Sequence, residues 1–380
     1  MTTQTSNEQA APEQQPEREI PRDFAWMRVP TQRGMKPAVG PQGLRIRDID
    51  QGSYAYVPDH WPYKTDMPRG AFPSNQTFLE ASYSLYDKCD VWSENAADLY
   101  EDAIRDRWSS ATDVPWEALQ PYDEIAERAI CQILTEISEA SLVGMQIFSG
   151  WLERISYGFY EVKSYLATEI YDLGRHHEAL RKRALANGGG LGLQSPGIYH
   201  RAITSSLRLT ELVIAQNLVR GLYHVVVFEA LRDVANNDAD RTLYSLVIRD
   251  LWRQIDFAVG HVDYYLKSQP HKHDQLHVWL GRAELLLVAE VQRDTPFSEA
   301  LILLLGDSVE EGRQRLTELR QRFVAAYLHR LYEAGIYNRI EKLAPEIARY
   351  APEGAATPNS ATMAPTFPDP ISRPATLATA

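Results

Sequence analysis

A chain of 380 residues is long enough to bury a large core, and 44% hydrophobic with 24% charged residues is an ordinary globular balance. The formal net charge of −12 weighs against nucleic acid and anionic membrane as partners, since both need clustered Lys and Arg. Two cysteines, Cys89 and Cys131, build neither a disulfide framework nor a thiolate metal site, so a reducing, cytoplasmic setting is expected.

Residues 1–20 are rich in Gln, Glu and Pro, hold no apolar run that could serve as a signal peptide, and read as a disordered leader. Over residues 21–75 proline and aromatic residues recur (Phe24, Trp26, Tyr54, Tyr56, Trp61, Tyr63, Phe72) without helical or strand period. That texture reads as an extended arm laid over a helical body or over a partner. From 76 to 349 the pattern is helical. A first helix is expected over 78–109, stopped by Asp113-Val114-Pro115-Trp116, because proline cannot continue a helix and disfavours one at the residue before it. Asp123 caps the next, in which Ile130, Ile133, Leu134 and Ile137 share a face.

A further helix is expected from about 151 to 186, ended by Asn187-Gly188-Gly189-Gly190. Others follow at about 200–234, 239–267, 273–292, 296–305 and 309–335, with Thr295-Pro296 as a start signal. The most apolar stretch, 212–231, is interrupted by Arg220, His224 and Glu229, so no membrane span is expected. Residues 350–380, rich in Pro, Ala and Thr, read as a disordered tail. No apolar–polar alternation persists, and the fold class is all-α.

Two stretches repeat a pattern: Asp172-Leu173-Gly174-Arg175-His176 and Asp250-Leu251-Trp252-Arg253-Gln254. Glu139 precedes Leu173 by the same distance, within one residue, as Gln216 precedes Leu251. The matched pair resembles the Asp-Glu-x-Arg-His signatures of the ferritin-like diiron-carboxylate superfamily, in which each half of a bundle supplies a lone Glu and a Glu-x-x-His pair. Trp92-Ser93-Glu94-Asn95, the stretch from Trp108 to Trp116, Arg183-Ala184-Leu185-Ala186-Asn187-Gly188-Gly189 and Ala300-Leu301-Ile302-Leu303-Leu304 are similar to a bacterial oxidase/oxygenase group of that superfamily. The resemblance covers roughly residues 75–340 and implies a ferritin-like four-helix bundle core with additional C-terminal helices.

The six ligand positions that the resemblance implies are occupied by Glu139, Leu173, His176, Gln216, Leu251 and Gln254. Two ferrous ions bring four positive charges, and one carboxylate cannot balance them. Leu in place of Glu also removes a buried charge and adds roughly 1.5–3 kcal/mol of apolar burial per site. The expectation is a non-catalytic subunit without a cofactor, resembling the ligand-depleted small subunits of hydroxylases. Its partner would be a homologue with intact diiron ligands, or a second copy in a homodimer. The alternative is an iron- or manganese-dependent oxidase or oxygenase with a shifted, mononuclear or mixed site on Glu139, Glu169, Asp172 and His176. A third case is a free-standing homodimeric binding protein whose emptied bundle centre is a ligand pocket.

In a core without metal Glu139 is expected to be buried, bonded to His176 or to a nearby hydroxyl or arginine. Glu169, Asp172 and His176, spaced by three and four, can equally form a buried polar network. His271, His273, Asp274 and His277 cluster after Pro270 and include one helical i, i+4 pair, but no third firm zinc ligand. Gly188-Gly189-Gly190-Leu191-Gly192 follows a helix rather than a strand and reads as a connection. His261 lies between Asp250 and Asp263 without a Ser or Cys nucleophile beside it. The basic run from Arg175 to Arg183 reads as a helix C-terminal turn favoured by the macrodipole.

Overall fold

A computed structural model describes residues 24–28, 36–73, 79–291 and 295–352. The expected leader (1–20), Phe78 and nearly all of the expected tail lie outside the described residues. Among the described residues there is no strand, only three isolated bridges, and the chain is an all-α helical bundle.

Nine helices carry the architecture of the described residues: α1 (Ala96–Arg105), α2 (Glu124–Arg154), α3 (Tyr160–Ala186), α4 (Ile198–Thr204), α5 (Leu209–Val234), α6 (Asp238–Ser268), α7 (His273–Glu290), α8 (Pro296–Leu305) and α9 (Val309–Glu333). Asp123 caps α2 by accepting from the Ile125 and Ala126 amides, both at 3.0 Å. Asn237, Thr295 and Ser308 do the same for α6, α8 and α9. Helix α3 stops at Ala186 because Gly188 takes φ +75°, a left-handed turn that releases the chain.

Helices α2 and α3 pack antiparallel along most of their length, with Ser138 against His177 and Cys131 against the Ala184 carbonyl. Helices α5 and α6 form a second hairpin, and α3 runs antiparallel to α6, where Tyr165 stacks on Phe257 at 4.4 Å. Helix α5 is long and apolar enough to cross a membrane, yet its apolar stretch is fully buried inside the bundle, sheathed by α6, α7 and α9. Its middle, Ile214–Gly221, is wound as a π-helix.

Three expected helix boundaries are corrected. The helix expected over 78–109 is confined to Ala96–Arg105, because the backbone before it is used elsewhere. The Ser84 and Leu85 amides both donate to the Arg154 carbonyl at 2.9 Å, and Tyr86 O accepts from Trp61 N at 2.9 Å. The helix expected to begin near 151 is two elements: α2 ends at Arg154, and Ile155 is extended so that Ser156 N reaches Leu85 O. The element expected at 200–234 divides at Ser205 into α4 and α5.

The arm lies on its own body. Arg47 pairs with Asp98 at 2.8 Å, the Ile46 amide donates to Glu101 at 2.9 Å, and Arg69 reaches Glu161 and Asp50 beside α3. Trp61 is buried against Gly158, where any Cβ would stand 2.4 Å from the indole. Tyr56, Tyr63 and Phe72 of the arm stay exposed.

Candidate functional site

The two Asp-Leu-x-Arg stretches face each other across α3 and α6. An Asp and an Arg three positions apart share one helix face, so each helix presents one anion and one cation to the other. Arg175 donates to Asp172 on its own helix and to Asp250 across the interface at 2.7 Å. Arg253 donates to Asp250 on its own helix and to Asp172 across the interface at 3.0 Å. Each carboxylate therefore holds both guanidiniums, and the two charges of each sign balance.

Trp108, from the connection after α1, closes one side. Its indole N–H donates to Asp250 at 2.7 Å and its carbonyl accepts from Arg175 at 3.0 Å. Its ring lies under the Arg175 guanidinium at 4.5 Å and stacks on His176 at 6.5 Å. His176 in turn meets Asp250 through Nε2 at 3.0 Å. Asp250 is wholly buried, but Arg253, His176 and Arg175 outweigh the burial and hold its carboxyl well below the usual carboxylate range. Burial, followed by the Asp250 charge, pushes Asp172 up to about 6 despite its two arginines.

One turn before Asp172, the core changes character. Glu169 is 1% exposed, and no protein group hydrogen-bonds either carboxyl oxygen. Asn217 and Tyr165 face it without closing a bond, and Tyr165 donates instead to the Arg253 carbonyl at 3.3 Å. Burial pushes Glu169 up to about 8, so it is a neutral acid at pH 7. Both polar atoms of the Asn217 side chain, Gln216 Oε1 and Gln254 Nε2 are also buried without a partner. Gln216 and Asn217 lie on the π-helical stretch of α5, a winding that recurs at functional sites.

Leu173 and Leu251 are both buried in the apolar core. Leu173 and Gln216 both converge on Gly144 of α2, where a Cβ would stand 3.3 Å from Leu173 Cδ1 and 2.9 Å from Gln216 Nε2. The α2 residue facing Leu173 is thus Gly144. Glu139 lies about one and a half turns earlier, and the register expected for it is corrected. Its side chain is 23% exposed and accepts from the Ser195 amide at 3.0 Å and from Gln194 Nε2 at 3.3 Å, with His200 at 3.9 Å. The expected bond from Glu139 to His176 is not made.

The four residues considered for a single iron or manganese ion do not fit that role. Glu139 is held by the loop at 194–195, His176 points its Nε2 at Asp250, Asp172 is clasped by two guanidiniums, and Glu169 faces an amide and a phenol. A divalent ion among them would meet the arginine charges before it met three free ligand atoms. Among the described residues, no three His, Cys, Asp or Glu side chains converge as a metal ion would need.

Other sequence features also find places. His277 donates from Nε2 to Asn338 at 3.1 Å and faces Arg339, with His273 edge-on at 4.7 Å, so this histidine pair ties α7 to the segment after α9. His261 donates to the Trp92 carbonyl at 2.8 Å and accepts from Thr210 at 2.9 Å, pinning three segments together. The basic run from Arg175 to Arg183 does end in the last turn of α3, but Arg175 and Arg183 at its two ends point inward. Arg183 is fully buried between Glu127, at 2.7 Å, and Asp240. Trp108 and Arg183 have no sequence signal that marks them as charge partners; their partners lie on other helices.

No protein-family model matches the chain, and no curated protein matches it either.

Proposed function

We propose that the chain is a non-catalytic, ferritin-like subunit that supports a homologous diiron oxygenase or oxidase subunit in a hetero-oligomer. The observation that carries this reading is the closed Asp172–Arg175–Asp250–Arg253 clasp with Leu173 and Leu251 in the positions where the resemblance implies metal-binding glutamates. The Asp and Arg of each repeat survive because they neutralise each other and lock α3 to α6. The intervening residues are apolar because a carboxylate there would be buried without a cation. Such a scaffold lends rigidity and surface rather than chemistry. The arm supports the same reading, for it is anchored to the body by Arg47, Arg69 and Trp61 while offering Tyr56, Tyr63 and Phe72 outward.

The test is the native mass and chain content of the complex purified from its own cell, with its metal measured. The expected result is a hetero-oligomer with a second helical chain that carries both Glu-x-x-His pairs and all the iron. An interface of the obligate kind, above about 2,000 Å² in total, should join them. A monomer that holds stoichiometric iron or manganese and oxidises a substrate by itself overturns the reading.

A further inference from the structure

The connection from α3 to α4 is held unlike the helices it joins. No residue from 187 to 198 is buried, whereas α3 and α4 both sink side chains into the core. Gly188, Gly190 and Gly197 take φ of +75°, +82° and +70°, left-handed turns that glycine adopts at little cost. Among the described residues, no amide or carbonyl from 191 to 196 bonds to another backbone group.

The segment is tied instead to one face of α2, where Gln132, Thr135 and Glu139 line up at spacings of three and four. Gln132 grips Leu193 at both backbone groups, donating to its carbonyl at 3.1 Å and accepting from its amide at 2.7 Å. Thr135 Oγ1 accepts from the Gly192 amide at 2.9 Å, and Glu139 accepts from the Ser195 amide at 3.0 Å. The backbone lies close on the helix. A Cβ on Gly192 would stand 2.7 Å from Gln132 Cα, and one on Gly189 would stand 2.5 Å from Cys131 Sγ. Cys131 is buried beneath, and burial pushes its thiol up to about 11, so it stays protonated and inert there.

A segment with no buried side chain gives up little apolar burial when it leaves, and water replaces its few hydrogen bonds, so it opens at far lower cost than the bundle. We propose that residues 188–197 form a hinged strap that lifts from α2 as a unit while the bundle stays folded, with Gln132, Thr135 and Glu139 as its latch. Leu191 and Leu193 of the strap line, together with Ala300 and Leu303 of α8, a groove of about 690 Å³. Lifting removes one wall of that groove, so the latch sets how wide it stands. The inference is independent of the proposed hetero-oligomer.

In Cys89→Ser, which leaves Cys131 as the only thiol, the rate of alkylation by iodoacetamide reads the strap. The rate is expected to stay level as urea rises below the unfolding transition, because a local opening exposes little surface. Gln132→Ala deletes both bonds to Leu193, and Gly192→Ala adds a Cβ that has no room against the α2 backbone. Each should raise the rate about tenfold or more at an unchanged urea midpoint. Hydrogen exchange in the unaltered chain needs no variant. There the amides of Gly192, Leu193 and Ser195 should exchange together, about a hundredfold or more faster than those in the middle of α2. Alkylation that rises with urea in step with unfolding, an unaltered rate in both variants, or strap amides that exchange as slowly as those of α2 overturns the proposal.

Discussion

Two polar regions sit one helical turn apart in the same core, and their carboxyl groups are treated in opposite ways, although Arg175 Nε, Arg253 Nε and Arg253 Nη1 of the clasp also lack a partner. Around Asp250 every carboxylate oxygen meets a cation or an N–H, and the charges cancel. Around Glu169, an acid and the Asn217 amide lie buried with atoms that no protein group satisfies. The contrast teaches where the stiffness of this bundle resides. The clasp fixes α3 against α6 and tolerates no change of charge. The Glu169 region carries a neutral acid whose ionisation the fold resists.

The comparison breaks most visibly at Asp250. Asp250→Asn removes the only fully buried anion from between Arg175 and Arg253 and leaves both guanidiniums undercompensated. The expected loss is about 3–5 kcal/mol in urea unfolding. The wild type supplies the pH counterpart. The Asp250 carboxyl lies below its unfolded value, so its contribution is complete above about pH 4 and drains away as pH falls further. A loss under 1 kcal/mol in the variant would mean that the clasp is ornamental.

Glu169 has the opposite sign. Its folded value of about 8 lies far above the unfolded value of about 4.3, so the folded chain keeps a proton that the unfolded chain releases. Its stabilising contribution is whole below about pH 4 and is lost as pH rises towards 8. Glu169→Gln removes that dependence. The variant should gain on the wild type steadily between pH 5 and 8, by up to about 1.4 kcal/mol per pH unit. Parallel stability curves over that range would show that Glu169 is not a neutral acid.

Much of the frame is legible in the sequence because it is written locally. Asp123, Asn187-Gly188 and Thr295-Pro296 act within one turn of themselves, and the helices stop and start there. The Asp-Leu-x-Arg pair is legible as a repeat. What is not legible depends on distant partners. Residues 79–95 have helical composition, yet the Ser84 and Leu85 amides pair with Arg154 O, the Ala81 and Lys88 amides and the Tyr86 carbonyl pair with the arm, and the Leu85 carbonyl accepts from Ser156 N. Counting residues back from Leu173 selects Glu139, but helix phase across the 155–159 break brings Gly144 to that place instead. The π-helical stretch at Ile214–Gly221 adds a further change of phase that no 3.6-residue pattern contains.

The smallest effects draw the boundary between the two regions most finely. Trp108→Phe keeps a ring over His176 and under Arg175 but deletes the N–H that Asp250 accepts at 2.7 Å. Removing one partner from a buried carboxylate should cost about 1–3 kcal/mol. Asn217→Leu alters a smaller side chain that is equally buried, but whose amide bonds to no protein group. Deleting it forfeits no protein hydrogen bond and exchanges polar for apolar burial, so the change should lie within about 1 kcal/mol of neutral. Urea midpoints for the two variants, measured at pH 6 where Glu169 is protonated in the folded chain, make the comparison direct. If Asn217→Leu costs as much as Trp108→Phe, the Asn217 amide is bonded in solution to something other than the protein, and the Glu169 region is a bound site rather than an unsatisfied one.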